Sequence, residues 1–151
     1  VQAAGALGDP ADVPALIEKM AAPALARLAG EAFTLITGVN LAAEKLDGPR
    51  PGGYEGGPTD DPDDPDVSLD PDDGLDWPDV EKVKAWWAAN GSRFARGVRH
   101  LCGRPITTDH LRHVLRHGFQ RQRVAAALEL ASLNPRQPLF EVRAPGWRQS
   151  C

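Results

Sequence analysis

The stretch Asp9-Pro10-Ala11-Asp12-Val13-Pro14-Ala15-Leu16-Ile17-Glu18-Lys19-Met20 decides the fold class. Val13, Leu16, Ile17 and Met20 fall at i, i+3, i+4 and i+7, which lines one face of a helix with apolar side chains. Asp9-Pro10 supplies its start: a side-chain oxygen for the N-cap, then a proline whose missing N–H and fixed φ suit the first helical position. After the break near Pro23, the residues Leu25, Leu28, Ala29, Ala32, Leu35 and Ile36 share one face of a second helix, and Thr37-Gly38 stops it. Two short helices joined by a tight turn make a helical hairpin.

The same layout returns near the other end. Leu111, Val114, Leu115 and Gly118 repeat the spacing of Val13, Leu16, Ile17 and Met20 at an offset of 98 residues, with Thr107 or Thr108 as the cap. Arg123-Val124-Ala125 aligns with Arg27-Leu28-Ala29 at an offset of 96, which puts Leu128 and Ala131 where Ala32 and Leu35 stand. A two-residue difference fits within the turn, so the pattern predicts an internal repeat. Val1 to Pro10 reads as the second helix and exit turn of a further unit, and a half-unit would leave an apolar face without its neighbour. The expectation is a chain cut partway through a repeat at Val1.

Composition agrees with helices. Of 151 residues 42% are hydrophobic, largely Ala and Leu, and only 6% are aromatic, so an all-α protein is predicted. The net charge of −4 hides an asymmetry: residues 1–91 carry 6 Lys/Arg against 18 Asp/Glu, and residues 92–151 carry 11 Arg against 3 acids. An acidic arm and a basic surface can meet each other or separate partners. Two cysteines, Cys102 and Cys151, are too few for a disulfide framework, and no CxxC spacing is present, which favours a reducing, cytoplasmic setting. No apolar run approaches the roughly 20 residues that cross a bilayer, so no membrane partner is expected.

Between the hairpins, residues 48–78 hold 7 Pro and 6 Gly in 31 positions, with Asp60, Asp61, Asp63, Asp64, Asp66, Asp70, Asp72, Asp73 and Asp76. Such a segment cannot build a packed helix or a central strand, and reads as an acidic tether docked through Tyr54, Val67, Leu69 or Leu75. Trp77-Pro78-Asp79 then opens a helix on which Val80, Val83 and Trp87 share a face, closed by Asn90-Gly91. The predicted organisation is repeats over 1–38, an acidic insertion over 39–76, an insertion helix and loop over 77–106, a second hairpin over 107–134 and an extended tail over 135–151. Leu139, Phe140, Val142 and Trp147 are the tail residues expected to pack.

The Ala-Ala, Leu-Gly and Gly-Asp-Pro elements of Val1 to Pro10, and Arg123-Val124-Ala125-Ala126-Ala127-Leu128, resemble the short HEAT-like repeats of the phycocyanobilin-lyase type. A longer likeness runs through Gly30-Glu31-Ala32-Phe33, Leu35-Ile36-Thr37-Gly38, Trp86-Trp87, Gly103-Arg104-Pro105, Gln120-Arg121-Gln122-Arg123 and Ala144-Pro145-Gly146-Trp147. Over these residues the chain is similar to the C-terminal part of a proteobacterial HEAT-repeat family found near type VI secretion loci. The resemblance implies a HEAT-type α-solenoid fragment with a scaffold or accessory role, and it carries over no catalytic residues.

Individual residues add expectations about a site. His110, His113 and His117 lie near one helix face and imidazoles bind Zn or Ni, but the first and last sit too far apart along the axis, and Arg112 and Arg116 add positive charge. A polar stripe without metal or cofactor is the expectation. Asp70-Pro71-Asp72-Asp73-Gly74 approaches a calcium loop, yet its spacing is one residue short and the closing Glu is missing. Arg93, Arg96, Arg99, Arg104, Arg112, Arg116, Arg121 and Arg123 suit phosphate contacts, which makes a nucleic-acid interface the alternative, but the chain's own aspartates can cover them. Glu31 is expected to pair with Arg27 along its helix. Trp77, Trp86 and Trp87 either anchor the insertion or form a hot spot, with Trp86 the more exposed member. No P-loop, GxGxxG, HExxH or GxSxG is present, so a non-enzymatic scaffold for a protein partner is expected, with Trp86, Arg112, Arg116, Arg121 and Arg123 as its contact residues.

Overall fold

The computed structural model describes residues 1–54, 57, 63, 65 and 68–144. Asp60, Asp61, Asp64, Asp66, Val67, Trp147 and Cys151, singled out above, lie outside the described residues. Helix covers 51% of the described residues, and the only sheet among them has two strands. In chain order the elements are α1 (Gln2–Leu7), a 3-10 turn (Pro10–Asp12) running into α2 (Val13–Lys19), α3 (Pro23–Thr37), α4 (Val80–Asn90) with a second 3-10 turn (Gly91–Arg93) at its end, β1 (His100–Leu101), β2 (Arg104–Pro105), α5 (Thr108–His117) and α6 (Gln120–Leu133).

The apolar stripe read from the sequence builds the first core. Val13, Leu16, Ile17 and Met20 are all buried, and Asp9 accepts a hydrogen bond from the Ala11 N–H at 2.9 Å at the start of the turn. On α3 the buried face is rotated from the predicted one: Leu25 is exposed and Leu28 half-buried, whereas Ala26, Arg27, Ala29, Gly30, Ala32, Phe33, Leu35 and Ile36 are buried. The reason is that α3 is covered on several sides, by α1, α2 and the insertion. Gly5 on α1 makes the closest approach, since a Cβ there would stand 2.7 Å from the Ala32 Cα. Val83 of α4 is fully buried in the same core, with Trp86 and Trp87 packed against it. Burial of each large side chain such as Phe33, Leu16 or Ile36 contributes about 1.5–3 kcal/mol.

The insertion leaves and returns at one point. Asp47 and Pro78 form an isolated antiparallel bridge, Gly48 N–H donates to Trp77 O and Asp79 N–H donates to Leu46 O, both at 2.8 Å. Leu41 and Leu46, before the bridge, belong to the first core. Asp79 then caps α4 by accepting from the Lys82 N–H.

A small β-hairpin, absent from the sequence reading, joins this core to the last helix pair. Its turn, Cys102-Gly103, has positive φ at both residues (50° and 80°) and caps the end of α3: Cys102 N–H donates to Leu35 O and Gly103 N–H to Ile36 O. Thr37-Gly38 ends α3 as predicted, with Gly38 left-handed at φ 72° and tight against Cys102. His100 N–H reaches Gly8 O, the left-handed residue that ends α1. Both helix termini therefore have their open carbonyls or close turns satisfied by one short ribbon.

Leu35 and Leu101 pass into a second core with Leu111, Val114, Leu115, Ala125, Ala126 and Ala127, to which α5 and α6 contribute most. Thr107 is the N-cap of α5, accepting from the His110 N–H at 3.2 Å. Residues 107–134 hold the two helices α5 and α6, and Leu128 is 51% exposed and does not take the place of Ala32. On α6 the three successive alanines fill the core position instead. Phe140 and Val142 of the tail pack on this second core, while Leu139 is exposed.

Candidate functional site

The arginines sort the molecular surface. Arg27, on α3, is 6% exposed, and its guanidinium donates to Asp70 Oδ2 at 2.5 Å and to the Tyr54 hydroxyl at 3.1 Å. The Trp77 ring lies 4.7 Å from its Cζ and the Tyr54 ring 5.4 Å, with the two rings edge-on at 4.9 Å. A planar cation thus has a carboxylate bonded to it and aromatic rings beside it, an arrangement suited to arginine and not to lysine. Burial opposes the Arg27 charge, yet the bonds to Asp70 and Tyr54 prevail and its pKa is raised. The Asp70 carboxylate is held below its usual value by the Asp72 backbone N–H and then by Arg27.

Arg121, at the start of α6, makes the second clamp. It donates to Glu31 Oε2 at 2.8 Å, to Pro71 O at 2.7 Å and to Asp72 Oδ1 at 3.2 Å. Desolvation opposes its charge, but Glu31 and then Asp72 raise its pKa. The expected Arg27–Glu31 helix pair is therefore replaced by two longer-range pairs, because the turn at 70–74 places Asp70 against Arg27 and Arg121 reaches Glu31. Asp70 and Asp72 are committed to arginines, and no group of three or more His, Cys, Asp or Glu among the described residues can hold a metal ion. Of the four predicted docking residues, Tyr54 docks, Leu75 is half-buried and Leu69 is 81% exposed. A cleft of about 490 Å³ remains beside the clamp, lined by Arg27, Glu31, Leu41, Leu75, Phe119 and Arg121.

Arg99 and Arg123 also serve the fold. Arg99 donates to Leu7 O and makes a two-pronged pair with Glu129 at 2.9 and 2.6 Å, which ties the end of α1 to α6. Arg123 donates to Leu115 O at 2.8 Å, near the end of α5. Trp86 is half-buried, edge-on to Phe33 at 5.6 Å, and Trp87 is edge-on to the same ring at 6.5 Å.

Arg112 and Arg116 lie on another face. Both are exposed on α5, and the pair of Arg112 with Asp109 is loose, at 3.7 Å between side chains that are 55% and 97% exposed. Together they line a cleft of about 590 Å³ between α5, α6 and the tail, whose floor is Leu115, Ala127, Leu130 and Phe140. Leu128, Leu133 and Leu139 are about half exposed in the same part of the chain. Of the five contact residues expected from the sequence, the structure brings Arg112 and Arg116 to one cleft, puts Arg121 in the other, and places Trp86 and Arg123 in packing roles.

His110, His113 and His117 stand in a row, with ring centres 6.4 Å and 4.7 Å apart in turn. His110 Nε2 bonds Leu101 O at 2.7 Å, so this ring is part of the hairpin joint. Cys102 lies in the adjoining cleft, and burial pushes its thiol up to about 11, which keeps it protonated and unreactive at neutral pH. The box around Arg27 was not visible in the sequence. Its partners lie 27, 43 and 50 positions away in a segment without periodicity, and the only local signal was an arginine on an otherwise apolar helix face.

Comparison with protein-family models, with curated proteins and with solved structures found no match to the chain. No helix among the described residues is long and apolar enough to cross a membrane.

Proposed function

We propose that the protein is a non-enzymatic interaction scaffold of the HEAT type that docks a protein partner in the cleft between α5, α6 and the tail. One observation carries the reading: Arg112 and Arg116 are exposed and line the same cleft as the apolar Leu115, Ala127, Leu130 and Phe140. An apolar strip edged by two guanidinium groups suits an amphipathic segment with acidic residues along its margin. Asp70 and Asp72 of the acidic insertion hold Arg27 and Arg121. The resemblance to proteins encoded near type VI secretion loci makes a secretion-associated protein the partner class to test. Capture on the tag-free, surface-immobilised chain from a proteobacterial lysate with such a locus should recover a secretion-associated protein reproducibly, and recovery of none overturns the reading.

A nucleic-acid interface is the second reading, favoured by the exposure of Arg93, Arg96 and Arg104 along with Arg112 and Arg116. It requires binding to a labelled duplex that weakens steeply with added salt. Absence of binding at low salt, in the intact chain and in a chain lacking residues 55–76, removes it.

A further inference from the structure

The histidine row contains a pair whose geometry the scaffold reading does not use. His113 and His117 are four residues apart on α5, both exposed, with ring centres 4.7 Å apart and ring planes 45° to each other. A metal bound at about 2.0–2.1 Å from one nitrogen of each ring lies about 3.2 Å from each ring centre. At that reach, rings 4.7 Å apart subtend about 95° at the metal, between the square and tetrahedral ligand angles. The same arithmetic rejects His110. Its centre is 6.4 Å from that of His113, which demands a straight nitrogen–metal–nitrogen line, and its one open nitrogen, Nδ1, is buried.

We propose that His113 and His117 form a two-imidazole site for a borderline divalent transition-metal ion, copper(II) or nickel(II) above all, with water in the remaining positions. Neutral imidazoles favour such ions, and copper(II) ranks highest among them for a given nitrogen site. Calcium and magnesium are disfavoured because the adjoining cleft, lined by Cys102, Arg104, Val114, Gly118, Gln122 and the three histidines, has no carboxylate. The Gln122 Oε1 accepts from the Phe119 N–H at 2.9 Å, so it is no ready third ligand. Arg104 shares the cleft, while Arg112 and Arg116 line the one against the tail. Their charge repels the ion, so affinity rises with ionic strength, opposite to the salt response of an acidic site. The bound ion links two successive turns at the end of α5 and protects that end from fraying.

The test is calorimetric titration of the full chain, prepared without a polyhistidine tag, with copper(II) and nickel(II) chlorides in a non-coordinating buffer. One ion per chain is expected. Loss of a supporting group around a metal ligand already costs roughly 10–100-fold, so His113→Asn and His117→Asn should each lower affinity at least that much. His110→Gln and Cys102→Ser should leave it within a small factor, with helix content checked by circular dichroism. Hydrogen exchange in the last turn of α5 should slow on metal binding in the parent and not in the asparagine variants. Absence of saturable binding at millimolar ion overturns the proposal, as does retained affinity in either asparagine variant. A loss in His110→Gln equal to that in His113→Asn overturns the two-ligand geometry.

Discussion

Arg27 and Arg112 carry the same group into opposite surroundings, and the difference decides what each can do. Replacing Arg27 with Met keeps much of the side-chain volume but removes the guanidinium donor from Asp70 Oδ2 and the Tyr54 hydroxyl, leaving Asp70 only the Asp72 N–H. Limited proteolysis should then cut within residues 48–78 many times faster than in the parent, with a shift in tryptophan emission as Trp77 loses its cation. Arg27→Lys should restore only part of the protection, since an ammonium cannot both lie flat on the rings and reach the carboxylate. An unchanged digestion pattern in Arg27→Met would sink the clamp. The pH dependence has a definite sign. Asp70 has its folded pKa below the ordinary 3.8, so the stabilisation is complete above that value and is lost as the pH falls through the lower, folded one. Trp77 emission should therefore stay flat from neutral pH down to about pH 4 and change below it. Thr107→Ala, which removes the cap of α5, should cost about 1 kcal/mol in chemical denaturation.

At the scale of elements, the hairpin from His100 to Pro105 is the joint on which both cores depend. Leu101 is 1% exposed in the second core while its neighbour Cys102 bonds the end of α3. Leu101→Ala should destabilise the protein by roughly 2–5 kcal/mol, read from the midpoint of urea unfolding. Gly103→Val should be comparably harmful, because φ is +80° and a Cβ would stand 2.6 Å from Thr37 O. A loss below about 1 kcal/mol for both would show that the hairpin is dispensable. The sequence made the helices legible because Val13, Leu16, Ile17 and Met20 repeat a helical period with Asp9-Pro10 before them. It could not reveal strands of two residues each, too short to display alternation. Leu25 and Leu128 depart from the predicted faces for a related reason: periodicity fixes which residues share a face but not which face packs, and Ala26, Gly30, Ala126 and Ala127 are buried. The tether was recognisable from its Pro, Gly and Asp content, whereas its attachment through Asp70, Asp72 and Tyr54 depends on contacts remote in sequence.

Across the whole molecule, part of the charge asymmetry seen in the sequence is met by ion pairs among the described residues. Carboxylates at 31, 70, 72 and 129 meet Arg27, Arg99 and Arg121 and hold the insertion, α1 and α6 in place. Arg112 and Arg116 are exposed beside Leu115, Leu130 and Phe140, the surface on which the proposed scaffold role is placed. The most direct test compares partner capture by the parent with that by the double variant Arg112→Glu/Arg116→Glu. Reversal at these exposed positions should leave the unfolding midpoint nearly unchanged and lower recovery of the partner at least about tenfold. Equal recovery by the two proteins, with the fold intact in both, would contradict the account.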